Sequence, residues 1–345
     1  MPHNELRKDY LLDRWVVIAT ERSRRPTDFA KQKTEPVKAT DCPLCPGNEY
    51  MTPPAVLAYF DQNQELKKGE EQRDFRYKDW KIRVIPNLYP AFNPPDKPMD
   101  RGQIVERNNF GHAIGHHEVL IESPNHYEQP SDASVQQLIN VIEACKDRLN
   151  ALSQKTYVKY VQIFRNHGLE AGASLSHPHS QIIATPFVPT IVKKEVEASR
   201  EYFDENGTCF FCDLIKKEMK NDRLIKRTSD FTVFSPYASV HPLEFWIIPN
   251  RHMINMLSLS KSETEELAKI LRSALKALKE LVNDPPYNFG IHLSINQMEK
   301  EYYHWHIEVY PHLSIWAGFE KSTGMYINTV TPENAAYELR KLFKL

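Results

Sequence analysis

Two C-x-x-C pairs constrain this chain more than any other feature. Cys42 and Cys45 lie in "CPLC", Cys209 and Cys212 in "CFFC", and two histidines follow each pair at nearly equal intervals. His126 precedes His177 by 51 residues, and His252 precedes His304 by 52. Between these points the same kinds of segment recur in the same order. The first copy runs through "KIRVIPNLYPAF", "HHEVLIESPNH", an amphipathic stretch, "YVKYVQIFRN" and "HPHSQIIATP". The second runs through "DFTVFSPYAS", "PLEFWIIPNRH", an amphipathic stretch, "YNFGIHLSIN" and "HWHIEVYP". A chain that repeats its segments and its metal-ligand residue types together folds as two similar units. The fold class expected is α+β, each repeat an antiparallel sheet with a packed helix. The boundary is expected near Thr190, giving units 1–190 and 191–345.

The amphipathic stretches read as helices by apolar spacing and caps. Val135, Leu138, Ile139, Ile142, Leu149 and Leu152 keep one face, with Ser131 or Asp132 as the expected N-cap. Leu267, Ile270, Leu271, Ala274, Leu275 and Leu278 do the same in the second copy, where Ser262 and Glu265 suit a capping box. The 24 prolines gather in connections such as "IPNLYPAFNPPDKP", which predicts ordered, stiff loops.

With 345 residues the chain can bury a large core, and its net charge of −1 gives no overall basic field to recruit nucleic acid or an anionic membrane. No run of 18 apolar residues occurs, and the start "MPHNELRKDYLLDRW" lacks the apolar core of a secretory signal. A cytoplasmic protein is expected, and in a reducing compartment paired cysteines read as metal or redox sites before they read as disulfides. Cys145 falls in the first helical pattern, as a packing residue.

Thiolates of a C-x-x-C turn can take two corners of a zinc tetrahedron, with two imidazoles taking the others. The repeat supplies two such sets: Cys42, Cys45, His126 and His177, then Cys209, Cys212, His252 and His304. A redox dithiol is the competing reading of each pair. Two zinc ions per chain are expected, with iron an alternative occupant of the second site. Sites closed by four protein ligands are structural, so chemistry belongs to the neighbours of the ligands.

Those neighbours are in "GASLSHPHSQ". On an extended strand His177, His179 and Gln181 would project as one polar row, costly at the head of an apolar strand unless it has a task. A solvated edge strand is the plain alternative. The segment, with its upstream "CPLC" and later "HWH", resembles the galactose-1-phosphate uridylyltransferase family of the histidine-triad superfamily, from "RWVVIATERSRRP" to "WAGFEKSTGMYIN". The resemblance implies two histidine-triad-like repeats per chain, a homodimer, and a nucleotidyl group carried on His179, the second histidine of the HPH. It further implies that Gln181 stands where histidine-triad hydrolases carry a third histidine. A glutamine cannot relay a proton to water but can donate hydrogen bonds to a phosphate oxygen, favouring transfer over hydrolysis.

Other positions follow from the same resemblance. Asn166 and Ser174 match polar residues that contact phosphates, Asn87 a nucleotide-contacting asparagine, and Arg22 and Arg25 an arginine pair reaching the neighbouring subunit's substrate. Glu320 matches an acceptor for a sugar hydroxyl. Glu195 matches a glutamate that ligates metal in some members, although Cys209 and Cys212 complete a site without it. His306 is the counterpart of His179, but Trp305 and Glu308 replace its Pro and Gln neighbours. The remaining histidines, including His112, His116, His117, His167, His241, His292 and His312, are assigned to packing or surface. The partners implied are a nucleotide sugar and a sugar 1-phosphate or phosphate. Uridylyl transfer from UDP-glucose to galactose 1-phosphate is expected first. Ser314 and Tyr326, standing where a lysine and a glutamine contact the sugar phosphate, make adenylyl transfer from ADP-glucose to phosphate the alternative. A zinc-structured nucleic-acid module is disfavoured because the cysteine pairs begin 167 residues apart and no basic stripe accompanies them.

Overall fold

The computed structural model describes residues 4–19, 39–96 and 113–345. In chain order its elements are β1 (Glu5–Lys8), β2 (Trp15–Ile18), β3 (Leu57–Gln62), β4 (Glu65–Gly69), β5 (Trp80–Pro86), β6 (His116–Ile121), α1 (Val135–Ser153), β7 (Tyr160–His167) and β8 (His179–Thr185). Then come α2 (Thr190–Asn206), α3 (Phe210–Glu218), β9 (Leu224–Arg227), β10 (Phe231–Phe234), β11 (Phe245–Pro249), α4 (Lys261–Val282), β12 (Tyr287–His292), β13 (His306–Pro311), α5 (Gly318–Thr323), β14 (Tyr326–Asn328) and α6 (Pro332–Leu342).

The α+β class holds, but the two repeats share one sheet. Eleven strands run in the order β4-β3-β5-β6-β8-β7-β12-β13-β11-β10-β9, every pair antiparallel. The seam is β7 against β12, with Phe164 opposite Gly290 and Asn166 opposite Asn288. A small sheet of β1, β2 and β14 completes the topology.

Alternation divides the large sheet into two faces. Val161, Ile163, Ile182, Ala184, Ile291, Ile307 and Val309 join one apolar core with Leu138, Ile142 and Leu149 of α1 and Leu267, Leu271 and Leu278 of α4. That core crosses the seam, and α1 packs on α4 above it. The opposite face of the central strands carries the polar residues: His179 and Gln181 on β8, Asn166 on β7, Asn288 and His292 on β12, His306 and Glu308 on β13. One side of the sheet is committed to stability, which frees the other for chemistry.

Both helices are capped two or three residues away from the sequence expectation. Ser134, rather than Ser131 or Asp132, accepts from the Gln137 N–H at the start of α1. For α4 the capping box is Ser260–Glu263 rather than Ser262–Glu265. Two overlapping S-x-x-E patterns compete there, and the earlier one is chosen because Glu263 also takes the Arg251 guanidinium in two hydrogen bonds of 2.9 Å. Helices α2, α3, α5 and α6 lie outside the two amphipathic stretches that the sequence pattern predicts. The loop from β7 toward the HPH begins at Gly168, whose φ of +83° and close approach to Pro286 leave no room for a Cβ.

Candidate active site and metal centres

The predicted polar row is two residues rather than three. His179 and Gln181 lie on one face of β8, but His177 sits in a bend before the strand, turned toward Cys45. His179 is nearly buried, and its Nδ1 lies 2.8 Å from the carbonyl oxygen of His177. A carbonyl can only accept, so Nδ1 carries the ring proton and Nε2 the lone pair. Burial, then the Arg165 guanidinium, holds the His179 pKa below its ordinary value against the opposing pull of the His177 carbonyl. The neutral ring is the nucleophilic form. The strand head is fixed from below. Ser180 donates to Glu122 Oε1 at 2.6 Å, and the fully buried Arg165 meets Glu122 Oε2 at 3.1 Å and Gln129 Oε1 at 2.6 Å.

Cys42, Cys45, His126 and His177 come together, their ligand atoms all within 4.8 Å of one another and all four buried. Cys45 Sγ is 3.2 Å from His126 Nδ1 and 3.4 Å from His177 Nδ1. The outer nitrogen of His177 donates to the Ser123 carbonyl at 2.8 Å, which turns its lone pair toward the thiols. The cysteine loop is pinned by Asn48, which donates to the Cys42 carbonyl, and by Glu49, which accepts from Trp80 Nε1 at 3.0 Å. Burial, then Cys42, pushes the Cys45 thiol up to about 12. Paired thiolates there need a cation. The donor set of two sulfurs and two imidazoles fits zinc, which these residues would hold as a structural ion.

Cys209, Cys212, His252 and His304 form a second cluster of the same make. Cys209 is the N-cap of α3 and Cys212 lies in its first turn, so both thiols stand at the positive end of a helix. Cys212 Sγ is 3.4 Å from His252 Nδ1 and 3.6 Å from His304 Nδ1, and His252 Nε2 donates to the Lys300 carbonyl at 2.7 Å.

Glu195 belongs to neither cysteine cluster. On the buried side of α2 it reaches His292 Nδ1 at 3.0 Å, and the group is completed by His306 and Glu308, with all four ligand atoms within 4.8 Å. Burial opposes a proton on His292, but Glu195 and Glu308 hold it and raise the pKa to about 9. The proton on His292 balances one of the two carboxylate charges of the group. A cavity of about 1080 Å³ opens on this third group, lined by Arg14, Glu195, His292, Glu308 and Tyr310, and not on His179.

Models of the galactose-1-phosphate uridyl transferase N-terminal domain and C-terminal domain match residues 2–189 and 195–344. The chain belongs to the galactose-1-phosphate uridyl transferase family. It is therefore an enzyme of nucleotidyl transfer. An ADP-glucose phosphorylase of Arabidopsis thaliana is 35% identical over 98% of this chain and 93% of its own length. A galactose-1-phosphate uridylyltransferase of Thermotoga maritima is 29% identical over 98% of each. Among solved structures, the Arabidopsis thaliana ADP-glucose phosphorylase with bound ADP-glucose superposes with a TM-score of 0.80 at 34% identity, covering 99% of this chain and 100% of that one. A uridylyltransferase superposes with a TM-score of 0.73 at 26% identity, covering 99% and 98%.

The uridyl transferase resemblance also named binding residues. Asn87 follows β5 and stands beside His117, its Nδ2 3.1 Å from the ring. Asn166 accepts from Asn288 at 2.7 Å across the seam, and Ser174 is exposed in the loop before the HPH. Glu320 caps α5, accepting from the Ala317 N–H at 2.9 Å. Arg22 and Arg25 lie outside the described residues. Two of the histidines assigned to packing or surface stand beside candidate-site residues: His292 joins the third group, and His117 reaches Gln181 Oε1 at 2.8 Å. The signal for His117 is its position on β6, the strand paired with β8, where Val119 faces Gln181.

Proposed function

We propose that the chain exchanges a nucleotidyl group between a nucleoside-diphosphate sugar and an anionic phosphate acceptor, with His179 as the nucleophile. The observation that carries this reading is the tautomer of His179: Nδ1–H tied to the His177 carbonyl, Nε2 left with its lone pair on the polar face of the sheet. Nε2 attacks the α-phosphorus, a P–N bond forms, and the P–O bond to the sugar 1-phosphate breaks. An acceptor phosphate oxygen then attacks the same phosphorus and releases Nε2. Donor fragment and acceptor are both anions, so no general base is needed and ping-pong kinetics follow. Gln181 offers amide N–H groups to a non-bridging oxygen, where one such donor contributes about 3–4 kcal/mol in the transition state.

Uridylyl exchange between UDP-glucose and a hexose 1-phosphate is the reading supported by the family. Adenylyl transfer from ADP-glucose to phosphate is a second reading, favoured by the 35% identity to the plant phosphorylase and by Ser314 and Tyr326 in the sugar-phosphate places. The same proposal takes the two Cys2His2 clusters as structural zinc sites, the chain as a cytoplasmic homodimer in units 1–190 and 191–345, and Asn87, Asn166, Ser174 and Glu320 as substrate contacts. Among the described residues, no helix is long and apolar enough to cross a membrane. Incubation with UDP-glucose and with ADP-glucose, each followed by intact-mass measurement, tests the reading. A uridylyl or adenylyl adduct that disappears in His179→Ala supports it and identifies the base; no adduct with either donor overturns it.

A further inference from the structure

Gln181 is useful to a phosphoryl group only if its NH2 end, and not its carbonyl, faces the ligand. The hydrogen bonds around His117 decide which end that is. The Ala91 N–H points at His117 Nδ1 from 3.0 Å. A backbone N–H can only donate, so Nδ1 holds the lone pair and the ring proton lies on Nε2. Nε2 is 2.8 Å from Gln181 Oε1 and donates to it. Asn87 Nδ2 is 3.1 Å from the same ring nitrogen, but the Asn87 Oδ1 is already taken by the Tyr89 N–H at 2.9 Å. The asparagine therefore presents a donor there, so with the proton on Nε2 that contact is not a hydrogen bond and Gln181 Oε1 is the acceptor of the Nε2–H. Reversing the Gln181 amide would leave the Nε2–H with an NH2 group on both sides and no acceptor, at the cost of an unmade hydrogen bond.

We infer that His117 is a positioning residue that holds the Gln181 carbonyl toward β6 and so turns its NH2 toward a phosphoryl group on His179. The chain of control starts in the main chain after β5. The Asn87 N–H donates to the His117 carbonyl at 2.8 Å, and Ala91, four residues later, fixes the ring. The segment that carries Asn87 thus also sets the donor aimed at the phosphate.

The kinetic part of this inference rests on the nucleotidyl-transfer reading; the tautomer does not. The first test is nitrogen NMR of the full-length protein labelled at histidine, with the His117 signals assigned by their loss in His117→Gln. The Nε2–H tautomer with an accepting Nδ1 is expected, whether or not any adduct forms. An Nδ1–H tautomer overturns the inference. The second test is the rate of adduct formation at saturating donor. His117→Ala should lower it about 10–100-fold, with donor affinity changed less than about threefold, because a misoriented donor weakens the transition state more than the ground state. His117→Gln, whose amide N–H can stand in for Nε2–H, should recover most of the loss. In a Gln181→Ala background His117→Ala should cost less than about twofold more, since the two act as one unit. Additive losses, or no recovery in His117→Gln, overturn the inference; failure of both donors to form an adduct sinks the transfer reading and leaves the tautomer to decide the His117–Gln181 link.

Discussion

The ring of His306 makes the same backbone hydrogen bond as the ring of His179: Nδ1 to the carbonyl two residues earlier, at 3.2 Å to His304 and 2.8 Å to His177. The two rings stand on the same face of one sheet, in strands β13 and β8. They differ at the other nitrogen. His306 Nε2 meets Glu308 Oε1 at 3.1 Å, so that nitrogen is engaged by a carboxylate and not open toward a phosphorus. One nucleotidyl group per chain is therefore expected, not two. Intact mass should show single occupancy in the wild type and in a folded His306→Gln variant, and none in His179→Ala. Double occupancy would overturn the asymmetry.

Elemental analysis should find about two zinc ions per chain. His177→Ala should lose one of them, and Cys209→Ser the other. Removal of a structural ion can withdraw on the order of 10 kcal/mol, so a large fall in Tm should accompany each loss. A full metal complement in His177→Ala would undo that ligand assignment. A third equivalent would have to be sought at Glu195, His292, His306 and Glu308.

His116 gives a pH dependence whose sign can be worked out. Burial, then Lys155 and Arg148, lowers its pKa from 6.5 to about 4, and its Nε2 lies 2.6 Å from the Tyr157 hydroxyl. The folded chain keeps the ring neutral while the unfolded chain takes up a proton below the ordinary value. Its contribution to stability is therefore present above pH 6.5 and lost as pH falls toward about 4. Urea midpoints measured from pH 7 to 5 should fall, and His116→Gln should flatten that slope. An unchanged slope would remove His116 from the account.

Glu122 is the carboxylate side chain on which the head of β8 depends. It meets the buried Arg165 and accepts from Ser180, the residue after His179. Glu122→Ala leaves a guanidinium buried without its partner, which costs about 3–5 kcal/mol. Glu122→Gln should cost less, because it still accepts one hydrogen bond. Chemical denaturation measures both, and a loss under about 1 kcal/mol in Glu122→Ala would contradict the buried-pair argument.

If Arg22 and Arg25 serve the neighbouring subunit's site, mixtures of inactive Arg25→Ala and His179→Ala chains should regain activity, since each mixed dimer holds one complete site. Activity no greater than the sum of the two alone would count against a shared site.

The two Cys/His clusters were legible because a coordinating set demands particular side chains and the repeat writes them twice. His179, the proposed nucleophile, was legible through its place beside a residue of the first Cys/His cluster. His117 was hidden because its bond to Gln181 crosses 64 positions of chain and is made by strand pairing, which no local pattern records. The same applies to the β7–β12 seam: alternation says which side chains share a face, but not which strand of one repeat will meet which strand of the other. The helix caps slipped by two or three residues because serine, threonine and acidic residues crowd both starts, and the winning register is set by tertiary partners such as Arg251.

The β7–β12 seam makes the halves poor candidates for life apart. Cutting the chain between them would strip two long inner strands of their neighbours and leave rows of open amide groups, ready to recruit any other strand. Fragments expressed separately should precipitate or find each other again, and a gene encoding one half would need a cover for that border before it could yield a tractable protein.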